Sequence, residues 1–265
     1  MRCSMVRAAL GNEIAKVVRT KFPYASALVV LVLSVSTFVL MGKSTAQEVL
    51  NGWGFVCYAA QMMFSDIGII LIVIFAALLL AEETGSGTIR FVLPSPLSRI
   101  DFFCAKVLMA LIYVVGVSLF TLLLAVAIGA LRYPFGGVSD YAGLVYSRGQ
   151  VLMHLAIALL LSWVPLIAAA SYGILMSALI TQPAKAMGAA IGLLFTVDMT
   201  KHIFGFEPYV FTRYVVLPWA IFQQIAQGID SEWYPAIRSM VVVSLATVVV
   251  CLGVAMVVFV RRDLN

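Results

Sequence analysis

The stretch VLMALIYVVGVSLFTLLLAVAIGAL, residues 107–131, runs for 25 positions without a charged side chain. A helix rises about 1.5 Å per residue and bilayer hydrocarbon is about 30 Å thick, so about 20 such residues suffice for one crossing. Four further runs match it. Residues 22–42 and 239–260 carry no charge, 55–81 carry only Asp66, and 151–180 carry only His154. A sixth run, 187–206, is apolar for its first 11 residues and then meets Asp198, Lys201 and His202. The expected fold is an all-α polytopic membrane protein, one transmembrane domain over residues 1–265 with six crossings.

Composition points the same way. Apolar residues make up 63% of the 265 and charged residues 11%, where a soluble domain has about 45–50% and about 25%. The net charge of +5 is spread between apolar runs instead of gathered in a patch, which argues for the lipid bilayer as partner and against nucleic acid. Cys3, Cys57, Cys104 and Cys251 are far apart and have no His at ligand spacing, so neither zinc nor a disulfide framework is indicated. The 12 Met residues are scattered, which gives no copper route.

Lys and Arg near span ends are retained on the cytoplasmic side. With the N-terminus inside, eleven such residues fall on the cytoplasmic segments and six outside, which favours both termini in the cytoplasm. Trp53, Trp219 and Trp233 then fall near the outer surface, where an aromatic belt is expected. The first apolar run is too long for the core of a signal peptide, so it is expected to remain as a span. Before it, Val6, Leu10, Ile14, Val17 and Val18 follow helical spacing, with Arg7, Lys16 and Arg19 elsewhere on the wheel. That pattern suits an amphipathic interface helix over residues 1–21. Residues 207–238, with Pro218 and three Gln in their apolar part, suit an outer re-entrant or interfacial segment.

The most patterned polar segment is the loop at 82–106. Gly85 is suited to end the second span in a left-handed cap, and Ser86 to cap a short helix from Gly87 to Leu93 that Pro94 and Pro96 stop. Ile89, Val92 and Leu93 share one side of that helix, with Arg90 away from them, a knob able to dock in a groove. Ser98 with Asp101 has the form of a capping box for the long third span.

Glu-Glu-Thr-Gly-Ser-Gly-Thr-Ile-Arg from Glu82, then Leu-Pro-Ser-Pro-Leu-Ser-Arg from Leu93, then Lys106 at the mouth of the next span, resembles the cytoplasmic loop of type 2 ABC transporter permeases. The surface helix, the six spans, the structured outer segment and the short basic tail at 260–265 agree with that exporter family. The resemblance implies a multi-pass permease of a prokaryotic plasma (inner) membrane, paired with a second copy or a paralogous permease. Separate cytoplasmic ABC ATPase subunits would drive it; ATP and Mg are expected on them, and no cofactor is bound directly here. Residues 87–93 would be the coupling helix, with Glu83, Gly87, Thr88, Ile89, Arg90, Val92, Leu93 and Arg99 forming the ATPase-coupling contact. The chain itself is expected not to be an enzyme: Gly42-Lys43-Ser44-Thr45 ends like a phosphate-binding loop, but Thr37 replaces the leading Gly and no strand precedes it.

Polar groups inside the membrane need a reason, since an ionised side chain at mid-bilayer costs roughly 2.5–3.5 kcal/mol on insertion scales. Asp198, Lys201 and His202 stand at i, i+3 and i+4, so acid and base can pair on one helix face. With Asp66 and Gln61 they are also candidates for a polar route or the subunit contact; in the resembling family the second and fifth spans line the pathway. Gly188 and Gly192, four apart, form a small-residue strip suited to close helix packing. An ion-coupled carrier using Asp66 and Asp198 is the competing reading, but it is expected to show an internal repeat, and none is evident. An intramembrane enzyme is less well supported: neither Asp follows a Gly-x-Gly, and no His-Glu-x-x-His pattern occurs.

Overall fold

The computed structural model describes residues 2–43, 51–85, 98–140, 143–229 and 233–261. Nine α-helices account for most of them: α1 Arg2–Arg19, α2 Phe22–Lys43, α3 Gly52–Met62, α4 Gly68–Gly85, α5 Arg99–Gly129, α6 Arg148–Leu179, α7 Pro183–Ile203, α8 Leu217–Ala226 and α9 Tyr234–Arg261. A π-helical segment, Met63–Ile67, joins α3 to α4, and a two-stranded antiparallel hairpin, β1 Val138–Asp140 with β2 Gly143–Tyr146, joins α5 to α6. The chain is an all-α polytopic membrane protein. Five helices have the length and hydropathy of a crossing: α2, α4, α5, α6 and α9. At 21 residues α7 is long enough, but Lys185, Asp198 and Lys201 make it more polar.

Helix starts follow local chemistry. Asp101 donates its backbone N–H to Ser98 Oγ at 3.1 Å, and the Ser98 hydroxyl donates to Asp101 Oδ2 at 2.7 Å, so the expected cap opens α5. A full capping box that went unnoticed in the sequence, Ser147 with Gln150, opens α6. Pro183 opens α7, where a missing N–H costs nothing. Gly85, by contrast, is not a left-handed cap: among the described glycines only Gly205 and Gly228 have positive φ. It is small because Thr181 O and Pro183 Cδ stand 2.8 and 3.0 Å from where a Cβ would lie.

The centre of the bundle is the α4–α6 pair. A Cβ at Gly173 would stand 2.6 Å from Ala76 Cβ and 2.7 Å from Val73 O, so the two backbones touch where the side chain ends. Ala169, Ala170 and Ala178 of α6 are buried as well, and Ser177 Oγ accepts the backbone N–H groups of Leu80 and Ala81 at 2.9 and 2.8 Å. Small residues and a shared hydroxyl hold helices together where lipid supplies no hydrophobic drive. Helix α5 packs on both members of this pair, α1 and α2 pack chiefly on α5, and α7, α8 and α9 also pack on the pair.

The π segment divides what the hydropathy pattern presents as one helix. At its end Gly68 donates its N–H to Met63 O, a five-residue reach, and a Cβ at Gly68 would meet that same oxygen at 2.5 Å. The extra residue turns α4 relative to α3.

At the end of the bundle away from α1, Asn51 Nδ2 donates to Ala226 O at 2.8 Å and Trp53 Nε1 to Gly136 O at 2.8 Å. Trp53 and Trp219 are 3% and 0% exposed, so neither belongs to a lipid-facing belt. Trp219 is stacked on Phe64 inside the bundle, because α8 buries its apolar face against α3 and α6.

Candidate functional site: a charge lock and a polar cleft

Four charged side chains meet at the α1 end of the bundle. Lys106, in the second turn of α5, has a side chain only 1% exposed, and its Nζ lies 2.6 Å from Glu13 Oε2 on α1 and 2.5 Å from Glu83 Oε1 on α4. Lys16 of α1 reaches the same Glu83 oxygen at 2.5 Å from a half-exposed position. Two acids and two bases thus cancel locally and join three helices. Burial draws the Lys16 pKa down, but the hydrogen bond and charge of Glu83, with Glu13 and Glu82 adding, outweigh it and raise the pKa above the ordinary lysine value.

Of this cluster the sequence singled out Glu83 alone as a site residue. The reason lies in α1. Of the apolar stripe read from the sequence, Leu10 and Val17 pack against the bundle, Ile14 and Val18 stay exposed, and Glu13, which that stripe leaves out, turns inward with Leu10 and Val17. Leu10, Glu13 and Val17 stand at i, i+3 and i+7, a helical stripe interrupted by one acid, whose meaning depends on a base arriving from 93 residues away.

The lock lies at the base of the loop proposed from sequence to couple. Glu83 is in the last turn of α4, and Arg99 at the start of α5 donates Nη1 to Val260 O at 2.9 Å, tying that stem to the end of α9. A cation on the last carbonyls of a helix also meets the negative end of its dipole. Gly87, Thr88, Ile89, Arg90, Val92 and Leu93 lie outside the described residues.

A second polar site sits deeper. Lys201 Nζ donates to Asp198 Oδ1 at 2.5 Å and to Thr212 Oγ1 at 3.2 Å. The lysine is nearly buried, whereas the Asp198 side chain is 44% exposed. Asp198 and Thr212 line a small cleft with Ser65, Ile69 and Leu194. The π segment and the polar turn of α7 therefore face each other across one opening. Asp66 lies on that segment; its side chain is outside the described part of the structure. His202 does not join Asp198 in an ion pair: its Nδ1 is 3.0 Å from Glu207 Oε2, and Arg213 approaches the other oxygen of Glu207 at 3.7 Å. Gln61 is also directed elsewhere, donating Nε2 to Gln223 Oε1 at 2.7 Å on α8. A Cβ built at Gly188 or Gly192 would meet nothing within 4 Å, so neither packs closely within the chain; the buried residues of α7 include Ala186, Ala190 and Leu194.

Among the described residues no group of His, Cys, Asp and Glu is arranged to hold a metal ion. A family model described as "ABC-2 family transporter protein" matches residues 9–183, from α1 through the first residue of α7. The chain belongs to the ABC-2 transporter family. No curated protein matches it. As an ABC-2 permease it is a membrane transport subunit and not itself the catalyst, from a family that associates with ABC ATPases and often dimerises. The lock and the α4–α6 pair fall within the matched residues; α8, α9 and most of α7, with Asp198 and Lys201, lie beyond them.

Proposed function

We propose that this chain is the membrane-spanning half of an ATP-driven exporter. Two permease subunits, this one with a second copy or a paralogue, enclose the pathway, and separate cytoplasmic ATPases that bind ATP and Mg drive it. In this reading the chain crosses an inner membrane of a prokaryotic cell six times, α7 included, with both termini and the α1 end of the bundle in the cytoplasm. Residues 87–93 are the coupling helix, residues 207–238 an outer re-entrant segment, and the Asp198 cleft lies on the polar route.

The lock of Lys106 with Glu13 and Glu83 carries this reading. A loop that transmits force needs stiff stems, because a yielding base would absorb the displacement. Here one stem carries Glu83 in its last turn, the other holds Lys106, and ion pairs join the two to each other and to Glu13 and Lys16 of α1. A push on residues 86–97 would therefore displace α1, α4 and α5 together, and α6 with them through Gly173 and Ser177.

The test is a single cysteine at position 89 in the full chain, in native membranes. The expected result is reaction with an impermeant maleimide only in inside-out vesicles, crosslinking to a nucleotide-binding subunit, and co-isolation of that subunit. Labelling from the opposite side, or purification without any ATPase, would overturn the proposal.

A further inference from the structure

An open groove of ≈ 260 Å³ runs along the α2–α5 face and ends at Val17, next to the charge lock. Pro23, Ala27 and Val30 form one wall, Met109, Ile112 and Phe120 the other, and Val17 of α1 stands at one end. Gly116 is also on the groove, and a Cβ built there would meet nothing within 4 Å. The lining is apolar apart from the hydroxyls of Ser26 and Tyr113, and the Ser26 hydroxyl is turned to its own helix, donating to Pro23 O at 2.8 Å.

Its dimensions select the occupant. From Met109 to Phe120 a helix rises about 16 Å, which is half of the roughly 30 Å of hydrocarbon, or one leaflet. A crossing helix from a second copy would need the full thickness, yet the groove ends half-way and α1 stands across its near end. A flexible acyl chain has the required reach and slenderness. At that same end the turn between α1 and α2 presents Arg19 and Lys21, both exposed, and neither is in an ion pair among the described residues. Tyr24, 63% exposed and donating its hydroxyl to Val18 O at 2.9 Å, stands where an interfacial aromatic is expected.

We propose that this groove is a phospholipid site: one acyl chain lies between α2 and α5, and the anionic phosphate of its headgroup meets Arg19 and Lys21. The ligand class is an anionic glycerophospholipid of the leaflet on the α1 side. Bound there, it fills the angle between α1 and the bundle and supports the helix that supplies Glu13 to the lock.

The test is native mass spectrometry of the full chain released from detergent micelles, with dioleoyl phosphatidylglycerol or dioleoyl phosphatidylcholine supplied. One phosphatidylglycerol is expected to be retained in preference to phosphatidylcholine. Gly116→Trp, whose Cβ would meet nothing within 4 Å and whose ring would obstruct the groove, is expected to abolish that retention; Ala27→Phe, on the opposite wall, provides a second obstruction if the first variant folds poorly. Arg19→Glu with Lys21→Glu should erase the headgroup preference, a change of about 25-fold or more at about fivefold per cation near an anionic surface. Equal retention by wild type and both groove variants would overturn the site. So would an unchanged preference in the charge variant, or a groove variant that alters the oligomeric state and leaves lipid retention untouched. No ATPase takes part, so failure here leaves the permease reading intact.

Discussion

Lys106 Nζ lies 2.6 Å from Glu13 Oε2, joining residues 93 positions apart through an ammonium that is almost wholly buried. Removing one member of such a pair leaves its partner charged and unmatched, typically at a cost of about 3–5 kcal/mol. Lys106→Met is expected to lower the thermal unfolding temperature in detergent sharply. Adding Glu13→Gln and Glu83→Gln to it should restore part of the loss. A triple variant no more stable than Lys106→Met would show that the carboxylates were not the source of the penalty.

Lys16 differs from Lys106 because its side chain is half open to solvent. Screening limits the worth of exposed pairs, so Lys16→Met should change stability only slightly at neutral pH. Its pKa is raised in the folded state, so the group contributes fully below the ordinary lysine value, and the contribution is lost as pH rises through the folded value above it. A denaturation series into the alkaline range should show wild type losing its advantage over Lys16→Met at the top of that range. An advantage that grew with pH would contradict the assignment.

Gly173 has no room for a side chain. Gly173→Val should destabilise the chain by about 1–3 kcal/mol through overpacking against Val73 O and Ala76. Gly192→Val, which meets no neighbour within the chain, should leave monomer stability unchanged. Unfolding of the two variants in matched detergent compares them directly.

On the coupling proposal, Ile89→Asp and Leu93→Asp should each abolish transport and ATPase association while membrane insertion persists. Transport assays in vesicles with parallel pull-downs separate these outcomes. Survival of both activities in both variants would dismiss the docking role.

Asp198→Asn keeps the shape of the cleft but leaves Lys201 with a neutral neighbour. If the cleft lies on the route, assembly persists and the transport rate falls; if the pair is only structural, stability falls and the transport rate of the folded fraction holds. Size exclusion and transport measured on the same preparation distinguish them.

Much of the bundle was legible because crossings are written locally: α2, α5, α6 and α9 overlap the charge-free or nearly charge-free runs, and Ser98 and Asp101 announced the start of α5. The π segment was not, since nothing in Met63–Ile67 distinguishes five residues of wide turn from five of ordinary helix; only the approach of Met63 O to Gly68 reveals it. The Asp198–Lys201 pair could be read from an i, i+3 spacing. Glu13 and Lys106 could not be paired, because a charge is ordinarily assigned to water and its burial depends on where three helices meet. Trp219 misled for the converse reason: an aromatic near a span end suggests the interface, but α8 folds inward and encloses it.

The missing side chain at Gly173 also limits how the molecule can rearrange. Two backbones in direct contact, cross-linked by the Ser177 hydroxyl, have no slack in which to slide or rotate. They behave as a single strut, and α9 packs along the same α6, so a change of shape has to be taken up elsewhere, as along α2, where Leu28, Val32 and Val39 stand exposed. On the transport proposal, cargo would pass by the swinging of that outer stave about a fixed keel.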